Sequence, residues 1–197
     1  MIKIAITGNI AAGKSAAEKL LSEQNFSVAD TDKITHFLLE NSKEVNEKIS
    51  YCFKGYDIFK ESRNIDRQKL GKIVFNNKEL LKKLEDIVHP AVIDEINLFF
   101  EKNTDKNAVF VSVPLLYECN LSHIFDKVIL IYANDNIRKK RLTEKRGFSP
   151  EDAENRMKSQ MPQEEKIKSA DFVIYNNSDL LNFSKQLNSV IKEIINR

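Results

Sequence analysis

The feature that most constrains this chain is an eight-residue loop near its beginning. Residues 8–15 read GNIAAGKS, which fits the pattern G-x-x-x-x-G-K-[ST]. A β-branched run, IKIAIT, comes just before the loop, and an apolar helical pattern, AAEKLL, comes just after it. In this order of strand, loop and helix, the pattern predicts a cradle for a polyphosphate, because backbone N–H groups and a helix N-terminus converge on the anion.

Each residue type in this phosphate loop has a separate task. Gly8 and Gly13 permit the backbone conformations that turn N–H groups toward the phosphates. Lys14 supplies a positive charge, and Ser15 is the expected ligand of Mg²⁺. We therefore expect ATP or GTP with Mg²⁺, bound by Gly8, Ala11, Ala12, Gly13, Lys14, Ser15 and Ala16.

Motifs that the sequence lacks narrow the reaction. A GTPase switch normally carries N-K-x-D and D-x-x-G motifs, and neither occurs in the sequence. A transporter-type ATPase needs an LSGGQ-like signature and a strand that ends in Asp-Glu, whereas the run AVFVSV stops at Pro114. A small phosphotransferase remains, and such an enzyme needs a carboxylate at the acceptor hydroxyl and cations around the transferred phosphate.

Five short apolar runs predict the core of the fold. Most are nearly continuous in apolar residues, which is typical of parallel strands covered on both faces. Helical patterns lie between them, so the chain alternates β and α and predicts an α/β fold with a doubly wound parallel sheet. The predicted strands are residues 2–7, 26–29, 108–113, 127–133 and 171–176. Two helical stripes are Leu80, Leu81, Leu84, Ile87 and Val88, and Leu180, Phe183, Leu187, Val190 and Ile194.

The 197 residues suit one domain with elaborations on its sheet. The stretch from residue 33 to about residue 106 is too long for a simple crossover and mostly helical in pattern, so it predicts an inserted helical region. Residues 138–168 are charged, lack a strand pattern and form a second elaboration.

Two carboxylates, Asp30 and Asp32, follow the second predicted strand. Ligands of an open α/β sheet gather at this carboxyl end, so Asp32 is a candidate for the acceptor base or a metal-organising group. Asp30 could support Lys14 or Mg²⁺ indirectly. Either carboxylate could instead cap the helix that begins near Lys33.

The second elaboration is rich in cations. Arg138, Arg141 and Lys145 are predicted to share one helical face, before a turn at Arg146 and a second helix that carries Arg156. Such a helix–turn–helix can close as a lid over a polyphosphate and exclude water. Most charges of this kind are simply solvated, but at least one of Arg141, Lys145, Arg146 and Arg156 is expected to contact phosphate.

Composition limits the partners and the compartment. The net charge is only +2, so no global field recruits nucleic acid or an anionic membrane. Cys52 and Cys119 lie far apart without metal-ligand spacing, which indicates plain thiols of a reducing compartment. The sequence shows no membrane span or signal peptide, so we expect a soluble, cytoplasmic protein.

Taken in order, these residues resemble the dephospho-CoA kinase family over nearly the whole chain. Besides the phosphate loop, the resemblance rests on segments that the loop alone would not predict. They are VADTDK, IDRQKLGKIVF with Arg67, LEDIVHP with His89 and Pro90, VPLLYE up to Glu118, the lid pattern with Arg141, Arg156 and Gln160, and ADFVIYNNS.

The resemblance implies an α/β P-loop kinase fold with a helical acceptor-binding insertion at about 33–106 and a helical lid at about 138–168. It implies transfer of phosphate from ATP to the 3′-hydroxyl of dephospho-CoA, the final step of coenzyme A synthesis, with Mg²⁺. The implied catalytic residues are Asp32, Lys14 and Arg141; Arg141 and Asn177 join the nucleotide site, and Asp32, Arg67, His89 and Glu118 bind the acceptor.

Some positions keep other interpretations. His89 before Pro90 could simply end a helix, because the residue before proline disfavours helical geometry. Leu115 and Leu116 are expected to be packing residues. The close alternative in function is another P-loop small-molecule or nucleoside monophosphate kinase, and the distant one is a non-catalytic nucleotide-binding regulator. A monomer is favoured.

The loop also departs from its family pattern, which commonly reads Gly-Gly-Ile-Gly-Ser-Gly-Lys-Ser-Thr. Here Asn9, Ala11, Ala12 and Ala16 replace family residues. Alanine at position 16 removes one hydroxyl from the phosphate site, although its backbone N–H can still donate. Lys145 stands where the lid often has arginine, so Arg146 is a second candidate for the phosphate contact.

Overall fold

The computed structural model describes residues 1–60, 64–75 and 77–196. These residues form two compact units: the first comprises those within 1–30 and 102–196, and the second those within 31–101. The first unit contains the sheet and the second is built from helices.

The first unit is built on a sheet of five strands, counted over the described residues. The strand order is β2-β3-β1-β4-β5, and every neighbouring pair is parallel. This confirms the predicted α/β fold with a five-stranded parallel sheet. The strands are β1 Ile2–Thr7, β2 Ser27–Asp30, β3 Ala108–Ser112, β4 Lys127–Tyr132 and β5 Phe172–Tyr175.

Helices occupy most of the remaining described chain. In the first unit they are α1 Lys14–Glu23, α6 Asp135–Lys140, α7 Pro150–Lys158, α8 Gln163–Ser169 and α9 Leu180–Ile195, with a 3₁₀ turn at Ser122–Ile124 and a π-helical turn at Arg141–Lys145. In the second unit they are α2 Thr31–Asn41, α3 Lys43–Cys52, α4 Arg67–Val74 and α5 Lys78–Glu101.

Burial explains the parallel sheet. All five residues of β3 and the four central residues of β4 are buried, as expected for strands covered on both faces. One main cluster joins the inner residues of β1, β3 and β4 to the apolar stripes of α1 and α9. Phe26 packs edge-to-face on Phe110 within this region, with ring centroids 5.2 Å apart.

The α9 stripe differs from its prediction at the beginning of the helix. Phe183, Leu187 and Ile194 are buried as expected, whereas Leu180 is 62% exposed. Asp179 caps the helix by accepting from the backbone N–H of Asn182 at 2.8 Å. The helix therefore begins at Leu180, and its first turn extends beyond the core that the later turns cover.

In the second unit, the long helix α5 corrects one expectation. The interpretation that His89 ends a helix is wrong, because α5 continues through Pro90 to Glu101. Proline removes one backbone donor, but the buried side chains on either side keep the helix intact. They are Leu80, Val88, Val92, Ile96 and Phe100, and α5 packs against α2, α3 and α4.

Within the described ranges, the structure contains no helix with the length and apolar character needed to cross a membrane.

Candidate functional site

The phosphate loop connects β1, which ends at Thr7, to α1, which begins at Lys14. Gly8 has a φ of 151° and Gly13 a φ of 117°, conformations that L side chains rarely adopt. A Cβ at Gly8 would collide with the backbone oxygen of Ile131, and one at Gly13 with the side-chain amide of Asn176. Both glycines are therefore required by backbone conformation and by close packing.

The beginning of α1 has the electrostatics of an anion site. Its first turn contains no acidic residue and includes Ser15, which is exposed. The Nζ atom of Lys14 donates to the backbone oxygen of Gly8 at 2.6 Å, which places its charge across the mouth of the loop. The positive end of the helix dipole adds to this charge.

A cavity of about 460 Å³ opens beside the loop. Four cations are among the described residues that line it: Lys14, Arg141, Lys145 and Arg146. These lining residues include no carboxylate, so the cavity favours an anionic ligand of the size of a nucleotide phosphate chain.

Arg141 holds the outer side of the loop. Its Nη1 atom donates to the backbone oxygens of Ala11 and Ala12, both at 3.1 Å, and its Nη2 atom donates to the oxygen of Asn176 at 2.9 Å. Burial lowers the pKa of this guanidinium, which nevertheless stays protonated at neutral pH. These bonds engage the carbonyl oxygens of Ala11 and Ala12, which would otherwise repel an anionic ligand.

Asn176 reinforces the same part of the loop. This asparagine is buried, and its Nδ2 atom donates to the oxygen of Ala12 at 2.7 Å. Asn177, which was expected at the nucleotide, accepts from the backbone N–H of Asn134 at 2.8 Å. Adjacent asparagines after β5 thus have different partners.

A second group of contacts holds the first half of the loop. Arg138 is 2% exposed, and its Nε atom donates to the oxygen of Ile10 at 3.0 Å, while Asp135 pairs with it at 2.8 Å. Burial lowers the pKa of Arg138, and Asp135 opposes that shift. The N–H of Ile10 donates to Oε1 of Gln160 at 2.7 Å. Of the three cations predicted to share one helical face, Arg138 and Arg141 donate to backbone oxygens of the loop, and Lys145 lines the cavity.

The remaining predicted residues of the first unit have other neighbours. Glu118 forms an ion pair with Lys166, whose side chain is fully buried, at 2.7 Å. Arg156 lies over the ring of Phe148 at 4.5 Å from its centroid. Leu116 is fully buried as expected, but Leu115 is 43% exposed.

Three of the four predicted acceptor residues lie in the second unit, at exposed or half-buried positions. Asp32 is exposed in the first turn of α2, and Arg67 begins α4 directly after its cap, Asp66. The guanidinium of Arg67 contacts the ring nitrogen of His36. His89 is half-buried in the middle of α5. Asp32, Arg67 and His89 are therefore each at least partly accessible to solvent on the surface of the second unit.

Metal-binding side chains do not cluster in the part of the chain that the structure describes: no group of three or more His, Cys, Asp or Glu side chains could hold an ion there. Cys52 and Cys119 are both half-buried and are not joined in a disulfide. A divalent cation at the phosphate loop would need only Ser15 and ligand oxygens, which is the sparse protein coordination that Mg²⁺ commonly has.

Comparison with known proteins gives the family. The family model described as dephospho-CoA kinase matches residues 2–182. The chain belongs to the dephospho-CoA kinase family.

Individual relatives agree with the family match. Dephospho-CoA kinase of Fusobacterium nucleatum is 43% identical over 184 residues, which cover 93% of this chain and 94% of that protein. The structure of dephospho-CoA kinase from Campylobacter jejuni has a TM-score of 0.73 and 35% identity, covering 98% of this chain and 97% of that one. TT1252 from Thermus thermophilus has a TM-score of 0.86 and 32% identity, with the same coverage.

The structure of this dephospho-CoA kinase family member also shows contacts that the sequence did not predict. The support of the loop by Asn176 and Gln160, and the buried charge of Lys166, have no local signature, because each partner is distant in sequence. The one available signal was the run ADFVIYNNS, from which Asn177 was expected at the nucleotide site; the contact of its neighbour Asn176 with the loop was not expected.

Proposed function

We propose that this chain transfers the γ-phosphate of ATP to the 3′-hydroxyl of dephospho-CoA, giving coenzyme A and ADP. The observation that carries the proposal is the cavity of about 460 Å³ beside the phosphate loop, with four cations among its lining residues. Its charge and size suit a triphosphate, and the family supplies the acceptor.

The loop and the lid cations divide the work of phosphoryl transfer. Backbone N–H groups of the loop and the positive end of α1 bind the phosphates, and Lys14 adds a positive charge. Arg141, aided by Lys145 or Arg146, stabilises the charge that spreads over the transferred group. Arg141 holds the loop oxygens of Ala11 and Ala12, so the loop is already shaped for the nucleotide.

Mg²⁺ fits this site through Ser15. The hydroxyl of Ser15 is exposed among the lining residues of the cavity, and the other ligands would be phosphate oxygens and water. When bound, the ion would neutralise phosphate charge. Residues 138–168 form the proposed lid. The π-helical turn at Arg141–Lys145, with Arg146 after it, supplies lid cations to the cavity, and helices α7 and α8 help to exclude water.

The proposed acceptor residues come from the second unit. Asp32 takes the proton of the 3′-hydroxyl, since it is an exposed carboxylate two residues after the end of β2. Arg67 and His89 bind polar or anionic groups of dephospho-CoA. Asn177 is proposed to lie at the nucleotide, next to Asn176 in the wall of the cavity. We also retain a cytoplasmic location and a monomeric state as predictions.

A direct assay tests the function. Purified protein is incubated with Mg-ATP and dephospho-CoA, with adenosine monophosphate, or with shikimate, and the products are analysed by mass. We expect a phosphate added to dephospho-CoA alone. Phosphorylation of another acceptor, with none of dephospho-CoA, would contradict the proposal. Asp32→Asn should retain ATP binding and lose turnover about 100-fold or more, as expected for a general base.

A further inference from the structure

One series of polar contacts in the first unit is not explained by substrate binding. It begins at Lys166 on α8, whose side chain is 0% exposed although it carries an ammonium group. A charge buried to this extent needs a partner, because removing it from water is costly. The partner is Glu118, whose Oε1 atom lies 2.7 Å from Nζ and whose side chain is 22% exposed.

Glu118 also holds a backbone group. The same Oε1 atom accepts from the N–H of Met161 at 3.2 Å. The peptide oxygen of Met161 in turn accepts from Nδ2 of Asn9 at 2.9 Å. Asn9 is the second residue of the phosphate loop and is 2% exposed. A continuous path of contacts therefore leads from the buried charge to the loop.

The neighbouring residue makes a parallel connection. Gln160 accepts from the N–H of Ile10 at 2.7 Å, so two consecutive residues, Gln160 and Met161, contact two consecutive residues of the loop. Because Glu118 accepts from the N–H of Met161, it also limits where the side chain of the preceding residue, Gln160, can reach. The segment after α7 thus forms a support for the loop.

We propose that the Glu118–Lys166 pair positions Met161 and Gln160 against the phosphate loop, which makes Glu118 a positioning residue for ATP binding and not an acceptor-binding residue. The proposal rests on the proposed function of the loop as the ATP site. It follows from the engagement of Oε1 by two partners, one of them a fully buried charge.

The primary test is the affinity for Mg-ATP, measured by isothermal titration calorimetry without acceptor, together with the KM for dephospho-CoA. Glu118→Gln should weaken ATP binding about tenfold, because Lys166 loses its counter-charge and Met161 shifts. The KM for dephospho-CoA should stay within about twofold of wild type. Replacing both charges, in Glu118→Gln with Lys166→Met, should recover part of the ATP affinity, since no unpaired charge remains buried.

The first unit offers a matched control. Asp171, just before β5, also accepts from a lysine and from a backbone N–H: Nζ of Lys127 at 3.0 Å and the N–H of Val128 at 2.8 Å. This pair is more exposed, since the side chains of Lys127 and Asp171 are 39% and 35% exposed. It lies where β4 and β5 begin, whereas the loop follows the end of β1 in the same parallel sheet. Asp171→Asn should leave ATP affinity within about twofold of wild type.

A double-mutant cycle separates positioning from general destabilisation. If Glu118 acts through Met161, then Asn9→Ala breaks the same path, and the losses of ATP affinity in Glu118→Gln and Asn9→Ala should not add. Independent effects would be additive and would overturn the proposal. If Glu118→Gln does not fold, the charge-free double variant replaces it in the cycle.

The remaining outcomes are also decisive. A raised KM for dephospho-CoA with unchanged ATP affinity would make Glu118 an acceptor-binding residue. If Glu118→Gln bound ATP as tightly as the control Asp171→Asn, the positioning role of Glu118 would be excluded. Wild-type protein that binds ATP but does not phosphorylate dephospho-CoA would refute the proposed reaction without touching this inference, which concerns ATP binding alone.

Discussion

Asn176 donates its side-chain amide to the backbone oxygen of Ala12 at 2.7 Å, across 164 positions of sequence. The contact joins the residue after β5 to the middle of the phosphate loop, and Arg141 donates to both of these residues at the same place. The shape of the loop thus depends on side chains from the far end of the chain.

Asn176→Ala should therefore weaken both the fold and nucleotide binding. The buried oxygen of Ala12 loses a donor, which should lower the free energy of unfolding by about 1–3 kcal/mol. Chemical denaturation and ATP titration measure the two effects. Asn188→Ala is the control, because Asn188 accepts from Gln24 in an exposed contact at 3.0 Å. Equal losses in both variants would contradict the supporting role of Asn176.

Gly13→Ala should abolish most ATP binding. The new Cβ would meet the amide of Asn176, and the φ of 117° is unfavourable for any L side chain. We expect at least about a tenfold loss of ATP affinity, which corresponds to about 1.4 kcal/mol. Gly55 has a φ of 96°, and a Cβ added there would have no neighbour within 4 Å. Gly55→Ala therefore tests backbone strain alone and should leave ATP affinity unchanged.

Ala11 has a φ of 61°, a left-handed conformation that costs a residue with a side chain about 1–2 kcal/mol. Ala11→Gly should relieve that strain, but glycine also makes the unfolded chain more flexible, which offsets part of the gain. The net free energy of unfolding should rise by about 0.5 kcal/mol. Ala12→Gly is the matched change at a fully buried position and should lower stability by about 1 kcal/mol. Thermal unfolding should rank Ala11→Gly above wild type and Ala12→Gly below it.

The lid cations should differ in their kinetic effects. Arg141 lines the cavity and holds three loop or strand-end oxygens, so Arg141→Ala should lower kcat/KM for ATP about 100-fold. Arg141→Lys keeps the charge but loses the planar fork, and should recover only part of the rate. Arg156 stacks on Phe148, and Arg156→Ala should cost less than about fivefold. Steady-state kinetics would reject this order if Arg156→Ala were the more damaging change.

The buried hydroxyl of Tyr117 should make the stability of the fold depend on pH in the alkaline range. Burial, with a smaller effect of Asp171, raises the pKa of its hydroxyl to about 12. The unfolded chain loses this proton near pH 10 and the folded chain does not, so stability is retained below about pH 10 and falls as the pH rises toward 12. Tyr117→Phe should flatten that decline in denaturation experiments, whereas Tyr51→Phe, at a residue 86% exposed, should not.

Local patterns predicted much of this structure. Continuous apolar runs predicted five parallel strands, and each observed boundary lies within one residue of the predicted range. The phosphate loop was predicted because its glycines, lysine and serine lie within eight consecutive residues. The helix end at His89 was wrong because burial of apolar residues on both sides of Pro90 outweighs the lost hydrogen bond.

The sequence by itself determined the alternation of strands and helices, the phosphate loop and the resemblance to a kinase family, since all of these are encoded by neighbouring residues. Tertiary structure alone decided which polar side chains support the loop. Asn176 reaches Ala12, Gln160 reaches Ile10, and Lys166 pairs with Glu118. These contacts join residues that lie 48 to 164 positions apart in the sequence. They depend on the packing of α8 and the strand ends, which the local pattern of apolar residues does not predict.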